Sequence, residues 1–187
     1  MPIPAFDGIL NVLPPHLGNP TQPHELSPYP CTTTELCQRF ATSAARKSIL
    51  EGLLNLRAEL FLLGIQGFQW LDGSFLEEIE TQEGRDPRDI DAVTFIIAPR
   101  TIRDIQSAFA TRQQLLDLAW VKSNYLVDHY LLPLCSDPEV IVDNTRYWYG
   151  LFSHRRDPER TWKGMLRVEL ATAADDDPAW QVLGRGP

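Results

Sequence analysis

The chain has 187 residues and a formal net charge of −8, with 43% hydrophobic and 22% charged residues, as in ordinary globular proteins. Its apolar runs are too short to span a membrane, and its first residues show no signal-peptide pattern. Three irregularly spaced cysteines (Cys31, Cys37 and Cys135) argue against a disulfide framework and fit a reducing compartment. We therefore expect a cytoplasmic protein of about one domain that has no membrane partner.

The charge distribution favours a small anionic ligand over a long polymer. Non-specific binding to nucleic acid requires clustered cations, which this acidic chain lacks overall. Basic residues do concentrate between residues 155 and 167, where a small phosphate-bearing molecule could bind, although a solvated basic hairpin explains them equally well. A nucleic-acid acceptor is therefore not indicated by the charge.

The chain divides into three parts. Residues 1–30 hold eight of the fifteen prolines and predict an extended, Pro-rich N-terminal arm. Residues 31–171 carry the regular hydrophobic patterns and predict one domain. Residues 172–187 have weak patterning and predict a loose acidic tail.

Helix and strand signals alternate along the predicted domain. Thr32 and Glu35 match a capping box, which predicts one or two helices over residues 33–62. The later patterns predict, in order, a strand over 64–71, a short helix over 75–80, a strand over 90–97, helices between 101 and 121, a strand over 125–132, a short strand over 140–142, a helix over 144–152 and a strand over 165–170. Helices before and between strands predict an α+β fold with a mixed or antiparallel sheet flanked by helices.

Gly73 and Ser74 lie at the turn between a predicted strand and a predicted short helix. Glycine allows the backbone to approach a ligand closely, and the free N–H groups at a helix start attract anions. The Ser74 hydroxyl adds a further hydrogen-bond donor. The turn therefore predicts a phosphate-binding site.

Asp89 and Asp91 stand at the start of the strand predicted over 90–97. Residues two apart on a strand point to the same face, so both carboxylates should project together. Two such acids repel each other unless a cation lies between them, and hard oxygen ligands suit Mg²⁺ or Mn²⁺. The pair therefore predicts a divalent-metal site.

Asp128 is a single acid inside an apolar predicted strand, which is costly unless the acid is paired or binds metal. If this strand lies beside the Asp89 strand, Asp128 becomes a third carboxylate at the same site. Two ions about 3.5–4 Å apart can then activate a hydroxyl and stabilise a leaving pyrophosphate. Asp143 is the alternative for this third position.

These segments together resemble the polymerase-beta-like nucleotidyltransferase superfamily, whose members carry Gly-Ser at a strand–helix turn, an acid-x-acid strand and a third acid on a later strand. The matching segments here are Trp70-Leu71-Asp72-Gly73-Ser74, Arg88-Asp89-Ile90-Asp91-Ala92-Val93 and Val127-Asp128. The chain is most similar to a small bacterial branch of that superfamily, through Leu13-Pro14-Pro15, Tyr147-Trp148 and Lys163-Gly164. The segment between Ser74 and Asp89 is longer than in many relatives.

The resemblance implies a nucleotidyltransferase-like fold and the transfer of a nucleoside monophosphate from a nucleoside triphosphate (NTP), such as ATP, to an acceptor hydroxyl. It implies that Asp89 and Asp91 bind two Mg²⁺ (or Mn²⁺) ions and that Asp128 binds the catalytic one. Gly73 and Ser74 would hold phosphates. Arg88 and Lys163 are our further candidates for binding the nucleotide.

Small transferases of this superfamily in antiviral defence or toxin–antitoxin modules modify a partner, so the resemblance also implies a protein partner or a homo-oligomer. The acceptor stays open between a protein side chain, a nucleic-acid end, a nucleotide and a small molecule. Two other functions stay open: a nucleotide-sensing or partner-binding protein with little turnover, and a phosphohydrolase.

Overall fold

A five-stranded mixed sheet forms the centre of the computed structural model, which describes residues 3–185. Its strands are β1 (Tyr29–Cys31), β2 (Gln66–Asp72), β3 (Ile90–Ala98), β4 (Val127–Pro133) and β5 (Leu166–Leu170), in the spatial order β1-β5-β2-β3-β4. β2 is antiparallel to both β3 and β5, whereas β3 pairs with β4, and β1 with β5, in parallel. The predicted α+β class with a mixed sheet is confirmed.

The helices flank this sheet. They are α1 (Thr33–Phe40), α2 (Ala44–Leu62), α3 (Ile79–Glu83), α4 (Ile102–Phe109), α5 (Leu118–Tyr125), α6 (Pro138–Phe152) and α7 (Asp177–Val182). The predicted capping box is present, because the Thr32 side chain accepts from the Glu35 N–H and the Glu35 carboxylate accepts from the Thr32 N–H. Within residues 3–185, no helix combines the length and hydropathy that a membrane crossing requires.

β3 separates two hydrophobic clusters. Ile90 and Ala92 pack in the larger cluster, which includes residues of α1, α2 and α5. Val93 and Phe95 pack with Trp148 of α6 in the smaller one. Because side chains alternate along a strand, every second residue of β3 faces α6, and Asp91 shares the face of Val93.

Two predicted elements are wrong. Residues 140–142, predicted as a short strand, lie inside α6, which begins with a proline in its first turn. The burial of Trp148 and Phe152, four residues apart, against the sheet stabilises this helix more than the β-branched residues disfavour it. The short helix predicted over 75–80 is instead a 3-10 turn at Ser74–Leu76, followed by α3.

The terminal segments pack against the domain. Val12 and Leu13 of the Pro-rich arm are fully buried, and the Leu13 carbonyl accepts a 2.7 Å hydrogen bond from the Gly164 N–H. The expected loose tail is also wrong for its described part, since residues 173–182 form a 3-10 helix and α7. Ala179 is fully buried there, and Asp176 is buried in an ion pair.

A buried polar network anchors that C-terminal segment to the sheet. Arg57 of α2 has 1% of its side chain exposed, and its Nε lies 2.7 Å from Asp176 Oδ2. Arg57 also donates to Gln69 Oε1 at 2.8 Å, and Gln69 donates to Thr94 Oγ1 at 2.9 Å. The Thr94 hydroxyl contacts His129 Nε2 at 2.7 Å, so the network crosses β2, β3 and β4 on the face opposite α6.

Arg57→Met should destabilise the fold by about 3–5 kcal/mol, because the Asp176 carboxylate would stay buried without its cation. Urea unfolding followed by circular dichroism measures this loss. Arg185→Met is the matched control: Arg185 also pairs with a carboxylate, that of Glu51 at 2.8 Å, but its side chain is 63% exposed. The control should lose less than about 1 kcal/mol, and equal unfolding midpoints for the two variants would contradict the role of the network.

Candidate active site

Three aspartates lie side by side across three neighbouring strands. Asp91 of β3 is the register partner of Asp72 at the end of β2 and of Asp128 near the start of β4. Residues in register on adjacent strands have side chains on the same face of the sheet, so all three carboxylates project toward the α6 side. The structure thus brings Asp91 and Asp128 together as predicted and adds Asp72, which sequence reasoning did not assign.

Asp89 joins this row through Lys122. The Lys122 ammonium lies 2.8 Å from Asp89 Oδ2 and 3.0 Å from Asp128 Oδ2, so the two carboxylates converge on one cation. The hydrogen bond to Asp89, with a second to Asp128, raises the pKa of Lys122 above its ordinary value. Burial, followed by the charges of Asp89 and Asp128, raises the pKa of Asp91 to about 6.

The turn after β2 contacts the same row. Gly73 has φ +92°, a backbone conformation that residues with a side chain rarely adopt. A Cβ at this position would lie 2.9 Å from Asp91 Oδ2, so glycine also lets the turn approach the carboxylate. Ser74 begins a single 3-10 turn, which contributes little helix dipole, so the turn can offer an anion its hydroxyl and backbone N–H groups rather than a helix terminus.

Lys163 fixes the position of this turn through two buried ion pairs. It is 3% exposed, and its ammonium lies 3.0 Å from Asp72 Oδ1 and 2.7 Å from Glu77 Oε1. Burial alone would lower the pKa of Lys163, but the charges of Asp72 and Glu77 outweigh it and raise the pKa. Two carboxylates therefore already bind this predicted phosphate ligand, and its contacts are those of a residue that positions the Gly73 turn.

The arginines near the site differ in whether they are ion-paired and whether they line the cavity. Arg155 pairs with Glu77 at 2.9 Å and with Glu83 at 3.1 Å. Arg88, a predicted nucleotide ligand, is exposed and does not line the cavity described below, whereas Arg85 does. Arg156 is exposed, lines the cavity and makes no salt bridge to any described residue.

These side chains enclose a cavity of about 360 Å³, a volume in the range of small-molecule sites. Carboxylates outnumber basic side chains in its lining, and most of the basic groups are already ion-paired. Such a cavity repels a phosphate-bearing ligand unless further cations enter with it. The acidic and basic residues that line the cavity are Asp72, Glu77, Glu83, Arg85, Asp89, Asp91, Lys122, Asp128, Arg155, Arg156, Asp157 and Lys163.

The donor set fits a hard divalent cation. Asp89, Asp91 and Asp128 offer only carboxylate oxygens, which Mg²⁺ and Mn²⁺ prefer, and their mutual repulsion favours a cation among them. As they stand, the described residues form no group of three or more side chains arranged to hold a metal ion. The Lys122 ammonium lies between the carboxylates of Asp89 and Asp128, where it takes the place of a metal ion. Its side chain is 45% exposed, so it can rotate into solvent.

Sequence reasoning missed three contributors to this site: Asp72, Glu77 and Lys122. Asp72 directly precedes Gly73, and its place at the end of a strand was a usable signal. Lys122 lies in the last turn of α5, which leads into the strand that carries Asp128. Asp143, the alternative third acid, is exposed on α6 and pairs with Arg146, outside the residues that line the cavity.

Fold and site together define an α+β domain with an acidic cavity at one end of a mixed sheet. The chain belongs to the family described as "Family of unknown function (DUF6932)", whose model matches residues 4–169. That range contains every residue of the candidate site. No curated protein and no solved structure matches the chain. The family description states no activity, so function must be argued from the site itself.

Asp91→Asn should stabilise the protein by about 1–2 kcal/mol in EDTA at neutral pH, because it removes one of the mutually repelling, partly buried charges. The folded-state pKa of about 6 exceeds the ordinary 3.8, so ionisation of Asp91 disfavours the folded state. That cost is complete above about pH 6 and vanishes below 3.8, so the advantage of the variant should shrink as the pH falls through this range.

Urea unfolding of both proteins across this pH range measures the difference. Asp143→Asn is the control, since Asp143 is an exposed acid and its loss should change stability by less than about 0.5 kcal/mol. An Asp91→Asn variant that is no more stable than the wild type would show that burial and the charges of Asp89 and Asp128 do not destabilise the ionised Asp91 carboxylate.

Proposed function

We propose that this protein is a metal-dependent nucleotidyltransferase, which moves a nucleoside monophosphate from an NTP to an acceptor hydroxyl and releases pyrophosphate. The observation that carries the proposal is the convergence of Asp89, Asp91 and Asp128 at one end of the sheet, with the Gly73 turn in contact with Asp91. Phosphoryl transfer depends mainly on positioning and charge neutralisation, and this arrangement can supply both.

In this proposal Asp89, Asp91 and Asp128 would hold two Mg²⁺ or Mn²⁺ ions. Such ions, when bound, neutralise phosphate charge and favour deprotonation of an attacking hydroxyl. The chain's own groups position the substrate: the Ser74 hydroxyl and the backbone of the turn bind phosphate oxygens, and Lys163 fixes the turn through Asp72 and Glu77. Asp128 lies within the row, where it can accept the proton of the acceptor hydroxyl.

A second candidate is a nucleotide-binding protein with little turnover. The observation that favours it is the Lys122 bridge between Asp89 and Asp128, because an ammonium in that position competes with a metal ion. A nucleotide would then bind without release of pyrophosphate. The protein partner or homo-oligomer, the defence context and the nucleotidyltransferase-like fold family are parts of the proposal that rest on the sequence resemblance.

The test is pyrophosphate release from each NTP with Mg²⁺ or Mn²⁺, by the purified protein alone and with the product of the neighbouring gene. The wild type should release pyrophosphate, and Asp89→Ala/Asp91→Ala should reduce the rate at least about a hundredfold, because the phosphate charge would lose its metal ligands. Mass spectrometry of both proteins should detect an added nucleotide if either protein is the acceptor.

Asp143→Ala, which removes an exposed acid outside the cavity, should keep the wild-type rate. Release of inorganic phosphate in place of pyrophosphate would instead indicate a phosphohydrolase. NTP binding, with or without added metal, and no release under any condition would favour the second candidate.

A further inference from the structure

A second cavity, of about 280 Å³, adjoins the first on the α6 side of the aspartate row. Asp91, Asp128 and Arg156 line both cavities, so a single ligand can extend from one into the other. The residues that line only the second cavity are aromatic: Tyr130 of β4, and Tyr147 and Trp148 of α6. Leu151 and Phe152 also line both cavities, so the shared boundary is part charged and part apolar, and the cavities differ in the residues that line only one of them.

The aromatic rings of the second cavity form a supported cluster. Trp148 is 8% exposed, and its ring centroid lies 4.5 Å from that of Tyr130 and 5.5 Å from that of Phe152. Tyr147 packs edge-on against Trp148, with centroids 4.9 Å apart and an interplanar angle of 77°. Tyr147 nevertheless remains 55% exposed, so much of its ring surface is available to a ligand.

An NTP has a charged end and an aromatic end, which correspond to the charged first cavity and the aromatic second cavity. Its phosphates carry the negative charge, which the Ser74 turn and associated cations can bind in the first cavity. Its base is a flat aromatic ring, which stacks on aromatic side chains whatever its hydrogen-bonding pattern. Arg156, which lines both cavities and has no ion-pair partner among the described residues, is positioned for the phosphate or sugar between the two ends.

We propose that the second cavity binds the base of the NTP, with Tyr147 as the main stacking side chain. This inference rests on the proposed function, because it assigns the nucleoside end of the same substrate. An acceptor molecule is the competing occupant. The shared lining of Asp91, Asp128 and Arg156 favours the nucleotide, since one continuous ligand accounts for both cavities.

The test compares two probes by isothermal titration calorimetry in Mg²⁺: the α,β-methylene analogues of the four NTPs, which cannot release pyrophosphate, and inorganic tripolyphosphate. The wild type should bind at least one analogue more tightly than tripolyphosphate. Tyr147→Ala should weaken that analogue about tenfold, the usual scale of base–aromatic stacking, and leave tripolyphosphate unchanged. Tyr147→Phe should retain the wild-type affinity, because it keeps the ring.

Val142→Ala is the matched control, since Val142 is 65% exposed on the same helix and lines neither cavity. A nuclear magnetic resonance measurement supports the comparison and needs no variant. In wild-type protein that is deuterated except at its tyrosine rings, saturation of the tyrosine ring protons should transfer to protons of the bound base. This measurement decides the question if Tyr147→Ala fails to fold.

The outcomes separate this inference from the proposed function. Analogue binding that Tyr147→Ala leaves unchanged, with no transfer to the base, would overturn the inference and assign the second cavity to the acceptor. The nucleotidyltransferase proposal would survive that result. Failure of the wild type to bind any analogue or tripolyphosphate would overturn both.

Discussion

Like charges held together at one end of the sheet are the constraint on which the site depends. The register of β2, β3 and β4 places Asp72, Asp91 and Asp128 in one row, and Asp89 converges on Asp128 through Lys122. Such a row destabilises the folded state unless cations balance it. Lys122 and the buried Lys163 provide part of that balance, and the oxygen donors that remain suit a divalent ion.

The rest of the fold keeps this row and its turn in position. Gly73 permits the turn after β2 to contact Asp91, and Lys163 fixes the turn through Asp72 and Glu77. Gly164 lets the N-terminal arm pack closely behind, because a Cβ there would lie 2.3 Å from the Pro14 carbonyl oxygen. The Leu-Pro-Pro and Lys-Gly segments noted in the sequence are therefore in contact with each other, next to the lysine that fixes the turn.

The sequence predicts three of the four acids, since strand alternation governs Asp89 and Asp91 and an isolated acid in an apolar strand marks Asp128, but it does not assign Asp72. The sequence predicts less where tertiary packing determines the secondary structure or the partner of a side chain. The β-branched residues at 140–142 favour a strand locally, but the aromatic face of α6 needs a helix. The weak pattern after residue 172 does not show that Asp176 pairs with Arg57, because that contact joins residues far apart in the chain. Lys163 similarly appears free for phosphate until its two buried carboxylate partners are known.

Equilibrium binding of Mn²⁺, followed by the electron paramagnetic resonance signal of the free ion, tests the central claim most directly. If Asp89, Asp91 and Asp128 form one cation site, the wild type should bind Mn²⁺. Asp91→Asn and Asp128→Asn should each weaken that binding at least about tenfold. Asp143→Asn, with its acid outside the cavity, should bind as the wild type does. Equal binding by all four proteins, or none by the wild type, would contradict the account.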